Sequence, residues 1–338
     1  MKLIHCPQAM GPYSWAHIEQ VLNLYFDRAG FLYKTLCPPD KHMSELEPCD
    51  VVYTQAEYAL DVLKTAKARV KVIQRDSAHS SVRKRMFDDE HKRLGITWDA
   101  VPDAHDAHGV AEYALADYIV VLSNVVRDGF LAEGHASDQI RVITPGIDIT
   151  RFTPGERIDD GIFRVRCCGA IGSRKGTVYL LEAWKNLDLP NAELVLSGTK
   201  REIKGQWILQ EQFEKYKKDN IQVGPFLSGA DHERLYHKCD LHVLPSLEEG
   251  LATVTLESMA SSLPQVVTEA TGVTDLWTED CGKIVPPGNV EALMDGIKFY
   301  YDNRDIGKQH GKTARRLVEP YTWGRFGTAV IDFLREVT

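Results

Sequence analysis

The chain has 338 residues, 43% of them hydrophobic and 26% charged, long enough for two domains with separate cores and too ordinary in composition for a disordered or fibrous protein. A net charge of -8 excludes a broad basic face for nucleic acid, so any anionic ligand must meet a local cluster of donors. Seven cysteines, at positions 6, 37, 49, 167, 168, 239 and 281, form no C-x-x-C pair and no zinc-like spacing, and read as free thiols of a reducing compartment.

The opening MKLIHCPQAM lacks the apolar run of a signal peptide, and no stretch approaches the ~18 consecutive apolar residues of a membrane-spanning helix, so a cytoplasmic protein is expected. Short apolar runs then alternate with segments of helical period, the pattern of a mostly parallel sheet with crossover helices. KLIHC, DVVYT, VKVIQ, YIVVLS and IRVIT predict strands of a first unit, with helices over residues 14–29, stopped by Gly30, and 124–133, stopped by Gly134. His79 follows VKVIQ in the loop QRDSAHSS, where a lone histidine is ordinarily structural or exposed. Residues 80–93 carry Arg83, Lys84, Arg85, Lys92 and Arg93 among acids; the stretch reads as a solvated helix face, with weak peripheral contact to anionic lipid as its functional alternative. In PDAHDAHG, Asp103, His105, Asp106 and His108 include a H-x-x-H spacing, but no distal third ligand is identifiable, and an acceptor-side loop is expected rather than a metal site.

After IRVITPGIDITRFTPGE the chain turns Pro- and Gly-rich, and the strand-helix grammar restarts with FRVRCCG, AELVLSG, IQVGPF, DLHVLPS and PQVVT. A boundary near residue 155 follows. Residues 322–337 predict a final amphipathic helix with Phe326, Val330, Phe333 and Leu334 on its apolar stripe.

The densest signal lies in residues 243–268, VLPSLEEGLATVTLESMASSLPQVVT: a strand, a turn with two acids and a glycine, a helix, then Pro264 opening another strand. Glu249 sits where the strand's C-terminal end meets the next helix, the edge at which open α/β sheets bind ligands. Gly250 permits close backbone approach, and the amides of Gly250 and Leu251 are expected to open the helix toward a phosphate or a polar sugar edge. Glu257, one to two turns further, can accept two hydrogen bonds from a ribose diol; the plain alternative is a loop acid and a helix-surface acid. Earlier, CCGAIGSRKGTVYLLEAW offers Arg174 and Lys175, with Gly172 in the same loop, as the cations an acidic protein needs to hold a diphosphate. Its plain alternative is a basic turn before a helix.

Residues 245–264 match P-S-x-x-E-G-x-x-x-x-x-L-E-x-M-A-x-x-x-P, and in this the sequence resembles the family-4 retaining glycosyltransferases of GT-B fold, with their E-x7-E signature. The resemblance extends over roughly residues 110–338. It implies two Rossmann-like domains facing across a cleft: residues 1–154 on the acceptor side, residues 155–320 binding the donor nucleotide sugar, and a C-terminal helix, 321–338, crossing back to complete the first. It also implies that Glu249 holds donor-sugar hydroxyls, Glu257 the nucleotide ribose and Lys175 the phosphates, and that His79 faces the reacting centre. Two departures stand out. Ala170 occupies a position where the family often has arginine, with Arg174 as the candidate substitute, and the loop PQAMGPYSW after the first strand has only Gly11.

The activity implied is transfer of a hexose-type sugar from a nucleoside-diphosphate sugar to an acceptor hydroxyl, with no metal and no cofactor beyond the donor. In a retaining transfer the leaving phosphate can take the acceptor proton, so no dedicated strong base is needed, and the protein must stabilise growing diphosphate charge. A glycosidase would instead need two flanking carboxylates and no phosphate site. A sugar-nucleotide epimerase or phosphorylase of the same fold, or a non-catalytic nucleotide-sugar-binding relative, are the alternatives.

Overall fold

The structure is a computed structural model that describes residues 1–6, 14–35, 47–57, 59–96, 103–156, 160–200, 202–203, 206–207 and 209–338. The loop holding Gly11 lies outside the described residues. The first half runs β1 (Lys2–Cys6), α1 (Ser14–Arg28), β2 (Leu32–Thr35), β3 (Cys49–Gln55), α2 (Leu60–Thr65), β4 (Ala68–Arg75), α3 (Ser80–Leu94), α4 (Asp103–Tyr113), β5 (Tyr118–Val121), α5 (Asn124–Ala132) and β6 (Ile140–Val142). The second half begins with β7 (Phe163–Cys168), α6 (Thr177–Asn186), β8 (Ala192–Ser197), the short antiparallel pair β9 (Glu202–Ile203) and β10 (Gln206–Trp207), α7 (Gln210–Tyr216) and β11 (Ile221–Gly224). It continues through α8 (Gly229–His237), β12 (Leu241–Leu244), α9 (Thr253–Ala260), β13 (Gln265–Thr268), β14 (Gly282–Val285), α10 (Val290–Asp302), α11 (Arg304–Val318) and α12 (Trp323–Val337).

Strands β1 to β6 form one parallel sheet in the order β2-β1-β3-β4-β5-β6. Successive side chains of a strand point to opposite faces, which sorts the apolar runs into two layers. Ile4, Val52, Ile73 and Ile119 pack with Val62, Leu63, Tyr113 and Phe130 on one side. Leu3, Val51, Val72 and Val120 pack with Leu22 and Phe26 of α1 and Phe326, Val330, Phe333 and Leu334 of α12 on the other. The terminal helix thus belongs to the first unit, as its apolar stripe requires. Thr322 caps it, its side chain accepting from the Arg325 amide at 3.2 Å.

The second parallel sheet has the order β11-β8-β7-β12-β13-β14. Val165, Leu194, Leu196, Val243 and Val266 pack with Leu180, Leu181 and Trp184 of α6 and with Leu293 and Ile297 of α10. Strands β2 and β14 were not expected from sequence: LYKT and GKIV are too short and polar to stand out as apolar runs.

One unit comprises Met1–Arg85, Trp98–Gly146 and Tyr321–Thr338, the other Met86–Thr97 and Ile147–Pro320. The segment Met86–Thr97, read from sequence as part of the first domain and through residue 93 as part of a solvated basic face, is grouped with the second. Its side chains explain why. Glu90 is buried and accepts from the Tyr179 hydroxyl at 2.7 Å and from Arg93 at 2.8 and 2.9 Å. His91 Nε2 lies 3.2 Å from Ser173 Oγ, and Leu94 and Ile96 pack against the second unit's core.

Candidate active site

In the second sheet β7 connects outward to β8 on one side, while β12 lies on its other side, so the strand order reverses between β7 and β12. The C-terminal ends of two such strands frame the crevice where open α/β sheets take ligands. The two loops singled out from sequence, residues 169–176 after β7 and 245–252 after β12, leave from these two ends. They are tied together by the Leu247 amide, which donates to the Arg174 carbonyl at 2.8 Å. The approach is close enough to demand glycine: Gly176 has φ +65°, and a Cβ there would lie 1.8 Å from the Pro245 carbonyl oxygen.

Arg174, Lys175 and Glu249 come together directly. Arg174 Nη1 donates to Glu249 Oε2 at 2.8 Å and to the Glu248 carbonyl at 3.0 Å. Lys175 Nζ pairs with Glu249 Oε1, which also accepts from Ser246 Oγ at 3.0 Å. Burial alone would raise the Glu249 carboxyl, but Arg174 and then Lys175 outweigh it and hold its pKa at about 2. Lys175 and Glu249 are buried, whereas the Arg174 side chain keeps 32% of its surface exposed, so the cluster reaches solvent through the guanidinium. Sequence reasoning gave the cations and the acid separate ligand groups; the structure makes them one ion-paired cluster.

The helix after Glu249 opens later than expected. It starts at Thr253, because the capping residue Ala252 has extended backbone, φ -74° and ψ 100°, and its amide is taken by the Thr271 carbonyl at 3.0 Å. Gly250 and Leu251 therefore lie in the loop, both buried, and do not supply helix-start amides. Gly172 is likewise buried in the first loop. Glu257 makes no hydrogen bond to the Arg174, Lys175 and Glu249 cluster among the described residues and instead meets α8: its Oε2 is 2.7 Å from His232 Nε2 and accepts from the Tyr236 hydroxyl at 2.7 Å. Behind His232 stands Arg166, fully buried on β7. None of these three was identified from sequence. The available signals were an arginine inside an apolar strand and a His232/Tyr236 pair at i, i+4, which shares one helix face.

His79 lies in the first unit, 3% exposed, with ring centroids 4.9 Å from Tyr113, 4.8 Å from Phe130 and 5.4 Å from His135. Its Nδ1 accepts from the Ser81 amide at 3.2 Å, and burial, only partly offset by Glu133, lowers its pKa to about 4. These contacts describe a packed histidine at a helix start, the structural one of the two plain readings. The side chain of His105 lies outside the described residues, and His108 is exposed on α4. Among the described residues no group of three potential ligands is arranged for a metal, and no helix is long and apolar enough to cross a membrane. In the basic run Arg83 pairs with Glu57, Arg85 with Glu133 and Arg93 with Glu90.

Solved structures share this architecture. Sucrose-phosphate synthase (tll1590) from Thermosynechococcus elongatus aligns over 99% of this chain and 98% of its own with a TM-score of 0.78 at 16% identity. Anabaena Alr3699/HepE in complex with UDP-glucose aligns over 99% of this chain and all of its own with a TM-score of 0.73 at 15% identity. At such identities the likeness shows the fold, which is GT-B. In sequence, the chain is 29% identical over 226 residues to the sulfoquinovosyl transferase SQD2 of Arabidopsis thaliana, covering 62% of this chain and 42% of the relative. It is 29% identical over 194 residues to the lipopolysaccharide core biosynthesis mannosyltransferase LpcC of Rhizobium leguminosarum bv. viciae, covering 52% and 54%. The chain spans about half the length of the curated relatives it matches. Residues 149–317, half of the sequence and the part that carries both loops, match the family model described as Glycosyl transferases group 1, and the chain belongs to that family.

Proposed function

We propose that the protein is a retaining glycosyltransferase of the E-x7-E kind that moves a hexose-type sugar from a nucleoside-diphosphate sugar to an acceptor hydroxyl. The observation that carries this reading is the cluster of Arg174, Lys175 and Glu249 at the strand-order reversal between β7 and β12. A diphosphate would share the two cations with Glu249, and they would stabilise the charge that grows on it as the sugar departs. Glu249 would then also meet the sugar's hydroxyls, and Glu257 the ribose. No cofactor beyond the donor is needed, since the departing phosphate oxygen takes the acceptor's proton. The free thiols of Cys167, Cys168, Cys239 and Cys281 suit a cytoplasmic setting.

Support for a sugar-nucleotide donor comes from the transferase names of the matched relatives and from the UDP and UDP-glucose complexes of HepE. The same names give an epimerase no support. The test is a screen of the purified protein against UDP-, GDP-, ADP- and dTDP-sugars for saturation-transfer NMR signal and slow release of nucleoside diphosphate. A donor whose nucleotide is released faster when an acceptor alcohol is added supports transfer; conversion of the sugar without nucleotide release would refute it.

A further inference from the structure

Arg166 is a cation with no exposed surface, and among the described residues no carboxylate pairs with it directly. Its guanidinium lies 3.7 Å over the Tyr236 ring centroid, and Nη2 is 3.0 Å from His232 Nδ1. A guanidinium has only donors, so His232 Nδ1 must accept. The ring proton is then on Nε2, which faces Glu257 Oε2 at 2.7 Å and donates to it. Tyr236, one turn beyond His232 on α8, donates its hydroxyl to the same oxygen at 2.7 Å. Phe152 closes the side of the pair, its ring edge-on to both His232 and Tyr236. Burial first, and Glu257 second, push the Tyr236 hydroxyl well above its ordinary pKa, which keeps it a donor.

The consequence falls on Glu257. Both donors converge on Oε2, whereas Oε1 makes no hydrogen bond among the described residues, and the side chain keeps 18% of its surface exposed. A carboxylate on a helix ordinarily samples several rotamers; here one oxygen is pinned from behind and the other is left for a ligand. We propose that Arg166, His232 and Tyr236 are positioning residues that fix Glu257 so that a single oxygen meets a vicinal diol, making the site selective for ribonucleotide over 2′-deoxyribonucleotide donors. This rests on the reading of Glu257 as the ribose contact. Arg166 acts through His232, setting its tautomer, and the buried positive charge is balanced through the imidazole by the carboxylate.

The test is calorimetric titration of the full chain with UDP, GDP and ADP and with their 2′-deoxy counterparts, for the wild type and for Tyr236→Phe, His232→Ala and His232→Gln. One ribonucleotide is expected to bind the wild type about tenfold more tightly than its deoxy form. Tyr236→Phe and His232→Ala should shrink that ratio to within about twofold of unity, by weakening the ribonucleotide while leaving the deoxynucleotide unchanged. His232→Gln keeps an amide oxygen for Arg166 and an N–H for Glu257 and should restore part of the preference. If His232→Ala does not fold, Tyr236→Phe decides, because it retains the ring beneath the guanidinium. A preserved ratio in Tyr236→Phe, or parallel loss of both ligands, overturns the positioning role while leaving the donor reading in place. A wild type that binds no nucleoside diphosphate, or binds ribo and deoxy forms alike, overturns the ribose reading of Glu257 and this inference with it.

Discussion

Arg174 and Glu249, 75 residues apart in sequence, meet through a 2.8 Å hydrogen bond from Nη1 to Oε2, and Lys175 closes on the other oxygen of the same carboxylate. The acid and the two cations therefore hold one another in place. Removing the carboxylate's charge frees both cations for the diphosphate, whereas removing Lys175 takes away a cation. Glu249→Gln should bind nucleoside diphosphate at least as tightly as the wild type and turn over about 100-fold more slowly. Lys175→Ala should weaken nucleoside diphosphate about tenfold and also slow transfer. Product affinity and turnover measured together check this; equal loss of product affinity in both variants would mean that Glu249 serves only to order the cationic loop.

The same ion pairs set an acid limit on stability. The Glu249 carboxyl is held at about 2 against an ordinary 4.5, so its contribution is complete above pH 4.5 and is lost as pH falls toward 2. His242 acts in a different window. Burial, then Arg166, Lys175 and His232, lower its pKa to about 3 from 6.5, so the unfolded chain binds a proton that the folded chain refuses, and stability declines as pH falls from 6.5. Unfolding midpoints against pH should show Glu249→Gln losing slope below 4.5 and His242→Met losing slope between 6.5 and 4.5. Unchanged slopes would contradict the assignments.

Gly176 tests how closely the two loops must approach. With φ +65° and the Pro245 carbonyl 1.8 Å from any added Cβ, Gly176→Ala must both strain the backbone and push the Glu249 loop away. A loss of at least about 2 kcal/mol in chemical denaturation, with loss of turnover, is expected. A variant of wild-type stability and activity would show that the loops can separate freely.

Glu90 tests the grouping of Met86–Thr97 with the second unit. Glu90→Ala leaves the Tyr179 hydroxyl and Arg93 without their carboxylate, and a buried charged partner is worth about 1.5 to 3 kcal/mol. Stability of the second unit should fall by that amount, read by the fluorescence of Trp184 in its core. A variant unfolding like the wild type would place the segment at the surface.

The sequence made the parallel-strand grammar, the terminal helix and the two loops after β7 and β12 legible, because apolar runs, glycines and the paired acids are local signals. What escaped it depends on partners far along the chain. Ahead of α9, Ala252 stays extended with its amide on Thr271, 19 residues further along. Glu90 and His91 looked like part of a charged surface because their partners, Tyr179 and Ser173, lie more than 80 residues away. The Arg166, His232 and Glu257 chain joins a strand to two helices, and the i, i+4 spacing of His232 and Tyr236 within α8 does not show which partners on the other two elements they meet.

Retaining transfer from a nucleotide sugar at this cluster is read out by following the anomeric proton of the first-formed sugar by NMR. The protein is incubated with whichever of the UDP-, GDP-, ADP- or dTDP-sugars binds, with a simple alcohol or water as acceptor. A first product with the donor's own anomeric configuration is expected, formed by the wild type and about 100-fold more slowly by Lys175→Ala. A first product of inverted configuration, or equal rates in the two proteins, would contradict it.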